Sequence, residues 1–347
     1  MNYETFQTYL EVFRFEEVKI IGKDLCLDGE WIHVVGMGRK KEGTFFYILE
    51  EQPALEERPV WRQNQTKRES MLESADRHDG NALHIRSIKI GEDLFEFQGG
   101  TGGNQAQAEF AEAYFFFQQM IENGWRIPED SCFYRLEWNC MGLVALHLKD
   151  SDEKLPVLAG EIEQVTLGPT HKSYIIQRPV RLERGKTSQL SFSLEEGGEE
   201  MICYINSVDM TEPLIEEQER FNDAQYQERV LQHVSRDEFE EMKKMALESI
   251  EADCPKGMGY FTVEYECTKE NLNAQFFVTA DLDSIPKPKK GCTSMIIMGG
   301  KPEQEIGPHG FRNRCTVVQY AVPVETKTLE AELFMMTETI QEKELKF

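Results

Sequence analysis

Apolar residues recur along this chain with two different periods, and the switches between them mark its elements. Between residues 212 and 251 they return at helical spacing: Phe221, Ala224, Tyr226, Val230 and Val234, then Phe239, Met242, Ala246 and Ile250. That spacing lays them along one face of a helix. Ser235-Arg-Asp-Glu238 within it is a capping-box pattern, so the segment predicts two consecutive helices that break at Ser235. Helical periods also run over 2–16, with Tyr3, Phe6, Leu10 and Phe13, and over 104–123. The second of these puts Phe110, Ala113, Tyr114, Phe117 and Ile121 on a buried face and has Gly124 as its stop.

Elsewhere the period is two. Leu25 to Leu27, Asp28-Gly29, then Trp31 to Val35 predicts a hairpin, because Asp-Gly accepts the positive φ angles of a type I′ turn. Strands are expected over 44–49, 82–90, 94–97, 132–138 and 143–148. Four more between 157 and 207 would form one antiparallel sheet or half a sandwich. Residues 260–267 and 272–280 read as a hairpin, with further strands at 293–298 and 316–322. The tail 328–340 fits both periods, and the helical propensity of Leu-Glu-Ala-Glu-Leu favours helix. Residues 50–80 hold few apolar groups and read as a long connection, mobile or functional. The pattern predicts an α+β fold, antiparallel β-sheets with a few packed helices, in two or three domains. The expected segments are 1–150, 151–210 and 211–347. Strands and helices do not alternate regularly, which argues against a doubly wound sheet or a TIM barrel.

Charge narrows the partners. The 347 residues carry 38 Lys+Arg against 62 Asp+Glu, a formal charge of −24. Such a field opposes duplex DNA and anionic lipid, whose binding requires phosphate neutralisation, so neither nucleic acid nor membrane is an expected partner. No apolar run approaches the length of a membrane span, and Met1 to Leu10 lacks a signal-peptide core. The eight cysteines are scattered through strand-like runs, which reads as reduced thiols and a cytoplasmic protein.

Candidate chemistry is sparse. The stretch Gly99, Gly100, Thr101, Gly102, Gly103 and Asn104 falls between a predicted strand and a predicted helix, where backbone N–H groups can hold a phosphate. It matches neither Gly-x-x-x-x-Gly-Lys-Ser/Thr nor Gly-x-Gly-x-x-Gly, and Thr101 breaks the Gln-x-x-Gly-x-Gly pattern of acetyl-CoA binders. The plain alternative is a tight connection with Asn104 as N-cap. No metal-ligand spacing and no nucleophile motif is present, so no metal or cofactor is expected. Cys292, after Lys289-Lys290-Gly291, is the best-placed thiol for reactivity, with an ordinary strand cysteine as the alternative.

One charge reversal stands out. Residues 285–314 carry six Lys+Arg against two Glu, a local +4, beside helices whose 212–251 segment carries −7. Lys289, Lys290, His309, Arg312 and Arg314 are the candidate ligand-binding residues for an anion, set around the Gly307-Pro-His-Gly310 turn. Solvated loops are the plain alternative. The expectation is a binding or regulatory protein recognising a protein partner or a small anionic ligand. The second expectation is a transferase or hydrolase using a nucleotide-like or CoA-like substrate at 99–103.

Overall fold

The computed structural model describes residues 13–52, 65–77, 84–104, 111–149, 155, 158, 160–286, 302 and 304–347. Most of the predicted 2–16 helix, Phe110, the 293–298 strand, Lys289, Lys290 and Cys292 lie outside these residues. In chain order the elements begin β1 (Glu17–Leu27), β2 (Glu30–Lys40), β3 (Gly43–Glu51), α1 (Lys67–Arg77), β4 (Ile85–Ile90), β5 (Asp93–Asn104), α2 (Ala111–Glu122) and β6 (Met141–Leu148). They continue β7 (Ile162–Leu167), β8 (Thr170–Glu183), β9 (Ser188–Phe192), β10 (Met201–Thr211), α3 (Pro213–Asn222), α4 (Ala224–Leu231) and α5 (Arg236–Asp253). They end β11 (Met258–Cys267), β12 (Leu272–Val278), α6 (Thr279–Leu282), β13 (Asn313–Pro323), β14 (Thr328–Ile340) and β15 (Lys343–Lys346). Antiparallel sheet dominates, with fewer helical residues, so α+β holds in its coarse form.

The chain forms two compact units that cut it differently from the three consecutive segments expected. The first comprises Met1–Trp61, Gly80–Thr170 and Gln341–Phe347, the second Arg62–Asp79 and His171–Ile340. The cause is long-range pairing: β15 returns from the far end of the chain to lie against β7.

The first unit is an eight-stranded sheet in the order β1-β2-β3-β6-β5-β4-β7-β15. Its hairpin turn is the predicted one, with Asp28 at φ 55° and Gly29 at φ 96° between the paired Leu27 and Glu30. Leu27, Val34, Phe46, Ile88, Phe95, Leu148 and Val165 share one core with the partly buried Leu345. Every strand therefore contributes to the same face, which requires a strongly curled sheet whose inside is that core. Lys23 bonds Glu161 at 2.7 Å and Lys343 bonds Asp28 at 2.5 Å, joining the two ends of the sheet by side chains.

On the outer face, α2 packs Phe116, Phe117 and Met120 against Val35, Tyr47 and Leu49. Ile121 is 45% exposed, which corrects the predicted face; the helix presents 116, 117 and 120 to the sheet. Its end is as expected: Gly124 at φ 93° and bonds from Gly124 N to Ile121 O and Trp125 N to Met120 O close the last turn. Residues 132–138 are not a strand but a 3₁₀ turn, Cys132–Arg135, capped by the Ser131 side chain.

The second unit is two sheets, β13-β11-β10-β9 and β12-β14-β8, that enclose one core. Phe192, Cys203 and Phe261 come from the first sheet, and Leu182, Phe276 and Leu333 from the second. Two predictions fail here for one reason. β11 and β12 are not a hairpin, and β7 to β10 are not one sheet, because successive strands cross between sheets. The tail is a strand, not a helix: β14 lies between β12 and β8, with Leu333, Phe334 and Met336 fully buried. Burial on both faces overrides the helical propensity of its Glu and Ala residues.

The acidic segment is helical as predicted, and Ser235 makes both arms of its capping box with Glu238. A further break falls at Asp223, whose side chain caps α4. Within the expected 50–80 connection, α1 is ordered and starts with its own box: Glu69 Oε2 accepts from Thr66 N at 2.8 Å. Arg68 then grips Glu332 through two nitrogens, at 2.8 and 2.5 Å, and bonds Asp283 at 2.7 Å.

Candidate functional site

The glycine stretch is where the structure departs furthest from the sequence reading. Gly99 to Asn104 is not a loop; it is the second half of β5, paired residue by residue with β6 from Gly99↔His147 to Asn104↔Gly142. Gly99, Gly100 and Gly102 do not use the left-handed backbone region that only glycine enters freely. A phosphate nest requires turning backbone with converging N–H groups, and an extended strand directs successive N–H groups to opposite edges. The premise of the phosphate site is thereby removed.

What these glycines supply is space. Residues opposite each other on antiparallel strands share a face. Gly100 stands opposite Leu146 and Gly102 opposite Val144, and both partners belong to the inner core. A Cβ on Gly100 would lie 2.9 Å from Leu146 Cδ2, and one on Gly102 3.2 Å from Val144 Cγ2. Side chains at these positions would project inward, where a cavity of about 560 Å³ opens instead. Phe97, Val144, Leu146 and Ile85 give it apolar walls.

Polar groups enter from β3. Glu50 is paired with both Ile32 and Gly142, which places it on the inner face of the sheet. Gln52, two residues on, shares that face, and its Nε2 donates to Glu50 Oε1 at 2.6 Å. Gly142 leaves the room for this contact, since a Cβ there would be 2.5 Å from Gln52 Nε2. Burial pushes the Glu50 carboxyl above the usual carboxylate range; the Gln52 amide works against this, and the nearby charge of Glu30 adds to it. At the other side, His84 Nδ1 lies 3.2 Å from Pro169 O and Arg86 is paired with Glu342.

Comparisons with protein-family models, curated proteins and solved structures return no match.

Of the predicted anion residues, His309, Arg312 and Arg314 lie among the described residues. Arg314 Nε donates to Asn273 Oδ1 at 2.9 Å and Nη2 donates to the Glu270 carbonyl, not to helix carboxylates, while its buried Nη1 has no hydrogen-bond partner among the described residues. The Arg312 side chain is exposed. His309 stacks on Tyr204 with ring centroids 3.9 Å apart and places Nδ1 3.1 Å from Glu266 Oε1.

Glu266 is the group that sequence reading missed. It is fully buried and accepts from Phe311 N at 2.9 Å, Asn206 Nδ2 at 2.8 Å and His309 N at 3.2 Å. Burial opposes its charge, yet the Phe311 and His309 N–H groups, the His309 ring and the Asn206 amide hold its pKa below the usual carboxylate range. Gly307 is glycine because a Cβ there would be 2.2 Å from Glu266 Cδ. The Gly-Pro-His-Gly turn thus wraps a buried carboxylate. Among the described residues, no group of three or more His, Cys, Asp or Glu is placed to hold a metal ion, and no helix is long and apolar enough to cross a membrane.

Proposed function

We propose that this chain is a small-molecule-binding protein that admits an amphipathic ligand into the cavity of its curled eight-stranded sheet. The observation that carries this reading is the pair of inward positions, Gly100 and Gly102, left without side chains where the neighbouring inward positions hold Phe97, Leu146 and Val144. Eight-stranded curled sheets either fill their interior with side chains or keep room for one small ligand. The cavity of about 560 Å³ falls within the range of small-ligand sites. Apolar walls with a few polar groups at fixed places is the composition such sites share. This keeps the binding half of the sequence expectation and moves it from the 285–314 loops to β5. The transferase or hydrolase reading loses its support, because it depended on a turning glycine loop.

The test is cavity filling. Titration with Nile red, a neutral dye that brightens in apolar surroundings, is expected to show saturable binding by the wild type. Gly102→Leu and Gly100→Leu are each expected to weaken it roughly tenfold or more. Melting curves report that each variant is folded; the Cβ at 100 meets only the flexible tip of Leu146 at 2.9 Å and backbone at 3.3 Å. Folded variants that bind the dye as tightly as the wild type would overturn the proposal.

A further inference from the structure

Within the binding reading, the polar groups of the cavity point to the chemistry of the ligand's head. Gln52 directs its Nε2 to Glu50 Oε1 at 2.6 Å. That hydrogen bond leaves two further acceptors on the pair, the second Glu50 oxygen and the Gln52 carbonyl oxygen. Among the described residues, neither of those two oxygens has a protein donor. The basic side chains on the described wall have other partners: Arg86 pairs with Glu342, and His84 Nδ1 lies 3.2 Å from Pro169 O.

We propose that the cavity selects a ligand whose apolar body is tipped by a protonated nitrogen, an ammonium, amidinium or guanidinium group, received by Glu50 and Gln52. The inference rests on the small-molecule-binding reading and adds to it the sign of the ligand's charge. Such a head can donate N–H bonds to both remaining acceptors of the pair, and a charge-assisted bond to a carboxylate is stronger than a neutral one. It also supplies the positive charge that a half-buried carboxyl lacks, whereas an anionic head would meet Glu50 with Glu30 nearby. The apolar tail then lies over Phe97, Leu146 and Val144, in the volume that Gly100 and Gly102 leave open.

Three probes of equal tail length separate head from body: octylammonium, octanol and octanoate, titrated calorimetrically into the full chain. Octylammonium is expected to bind about tenfold more tightly than octanol, with octanoate weakest. Glu50→Gln, which keeps the shape of the side chain, is expected to bring the octylammonium-to-octanol affinity ratio close to one. A wild type that binds octanol as tightly as octylammonium, or a preference that survives Glu50→Gln, would overturn this inference while leaving the cavity reading in place. If none of the three probes binds and Nile red binding is indifferent to Gly102→Leu, the cavity reading itself fails, and this inference with it.

Discussion

Replacing Glu266 by Ala is expected to destabilise the two-sheet unit by about 3–5 kcal/mol, the cost of orphaning groups around a buried charge. The carboxylate is the acceptor for Phe311 N at 2.9 Å, Asn206 Nδ2 at 2.8 Å and His309 N at 3.2 Å, with the His309 ring at 3.1 Å. Each buried donor left unsatisfied costs about 1–3 kcal/mol. The exposed His309 recovers part of its loss from water, so Phe311 N–H and the Asn206 amide dominate the total. For a unit of this size about 1 kcal/mol corresponds to roughly 2–4 °C, giving an expected fall in melting temperature of about 6–20 °C. Glu266→Gln turns an amide NH₂ toward one of these donors and is expected to lie between wild type and Ala.

The sign of the pH dependence follows from the depressed folded-state pKa of Glu266. A carboxylate whose pKa falls on folding contributes stability that is fully present above its unfolded value, about 4.3, and is lost as pH drops through the lower folded value. The wild type and Glu266→Ala should therefore differ by a constant amount near neutral pH, and the gap should narrow in acid below about pH 4. Differential scanning calorimetry across pH measures both quantities at once. A Glu266→Ala protein melting within about 1 °C of wild type at pH 7, or a gap that widens in acid, would refute the reasoning.

Two further outcomes can be checked by the same melts. Arg68→Ala is expected to cost about 3 kcal/mol, because it leaves Glu332, whose side chain is 8% exposed, without its two-nitrogen partner; Arg68→Lys, a point charge without the fork, should restore less than half of that, and full rescue by Lys would show that geometry is irrelevant there. Met120→Ala is expected to cost about 2–5 kcal/mol as a fully buried residue, and Ile121→Ala about 0.5 kcal/mol or less as a half-exposed one. The reverse order would mean that α2 presents the face first expected from sequence.

Local signals with a stereochemical mechanism were legible. Asp28-Gly29, Gly124 and Ser235-x-x-Glu238 each act through residues within one turn, and each sits where its chemistry requires. Thr66-x-x-Glu69 carries the same signal for α1, but the surrounding residues are charged and resemble a connection. What anchors α1 is Asp281, Asp283 and Glu332, more than 200 residues away, and no local window contains them. The tail misread has the same origin. Leu-Glu-Ala-Glu-Leu alternates as well as it spirals, and only the flanking β12 and β8 decide between the two.

The glycine stretch shows why a candidate site was harder to read than the fold. Glycine has two uses, a backbone that turns freely and an absent side chain, and the sequence does not say which is meant. A turn at 99–104 would use the first. Its positions argue for the second: Gly100 and Gly102 are two apart, so in a strand they clear one face, and Gly142 on β6 clears the place opposite Glu50. Gly100 and Gly102 thus open the volume and Gly142 makes room for the Gln52 side chain beside Glu50, although Glu50, Gly100 and Gly142 are spread over more than 90 residues of chain. The register of β3, β6 and β5 brings them together, and that register is set by the hydrophobic alternation of Phe46, Ile48, Val144 and Leu146 facing the core. A slip of one residue in β6 would turn Val144 and Leu146 outward and withdraw the walls of the cavity. The same pattern that builds the core therefore fixes the proposed binding site, and the glycines mark where the core was left open.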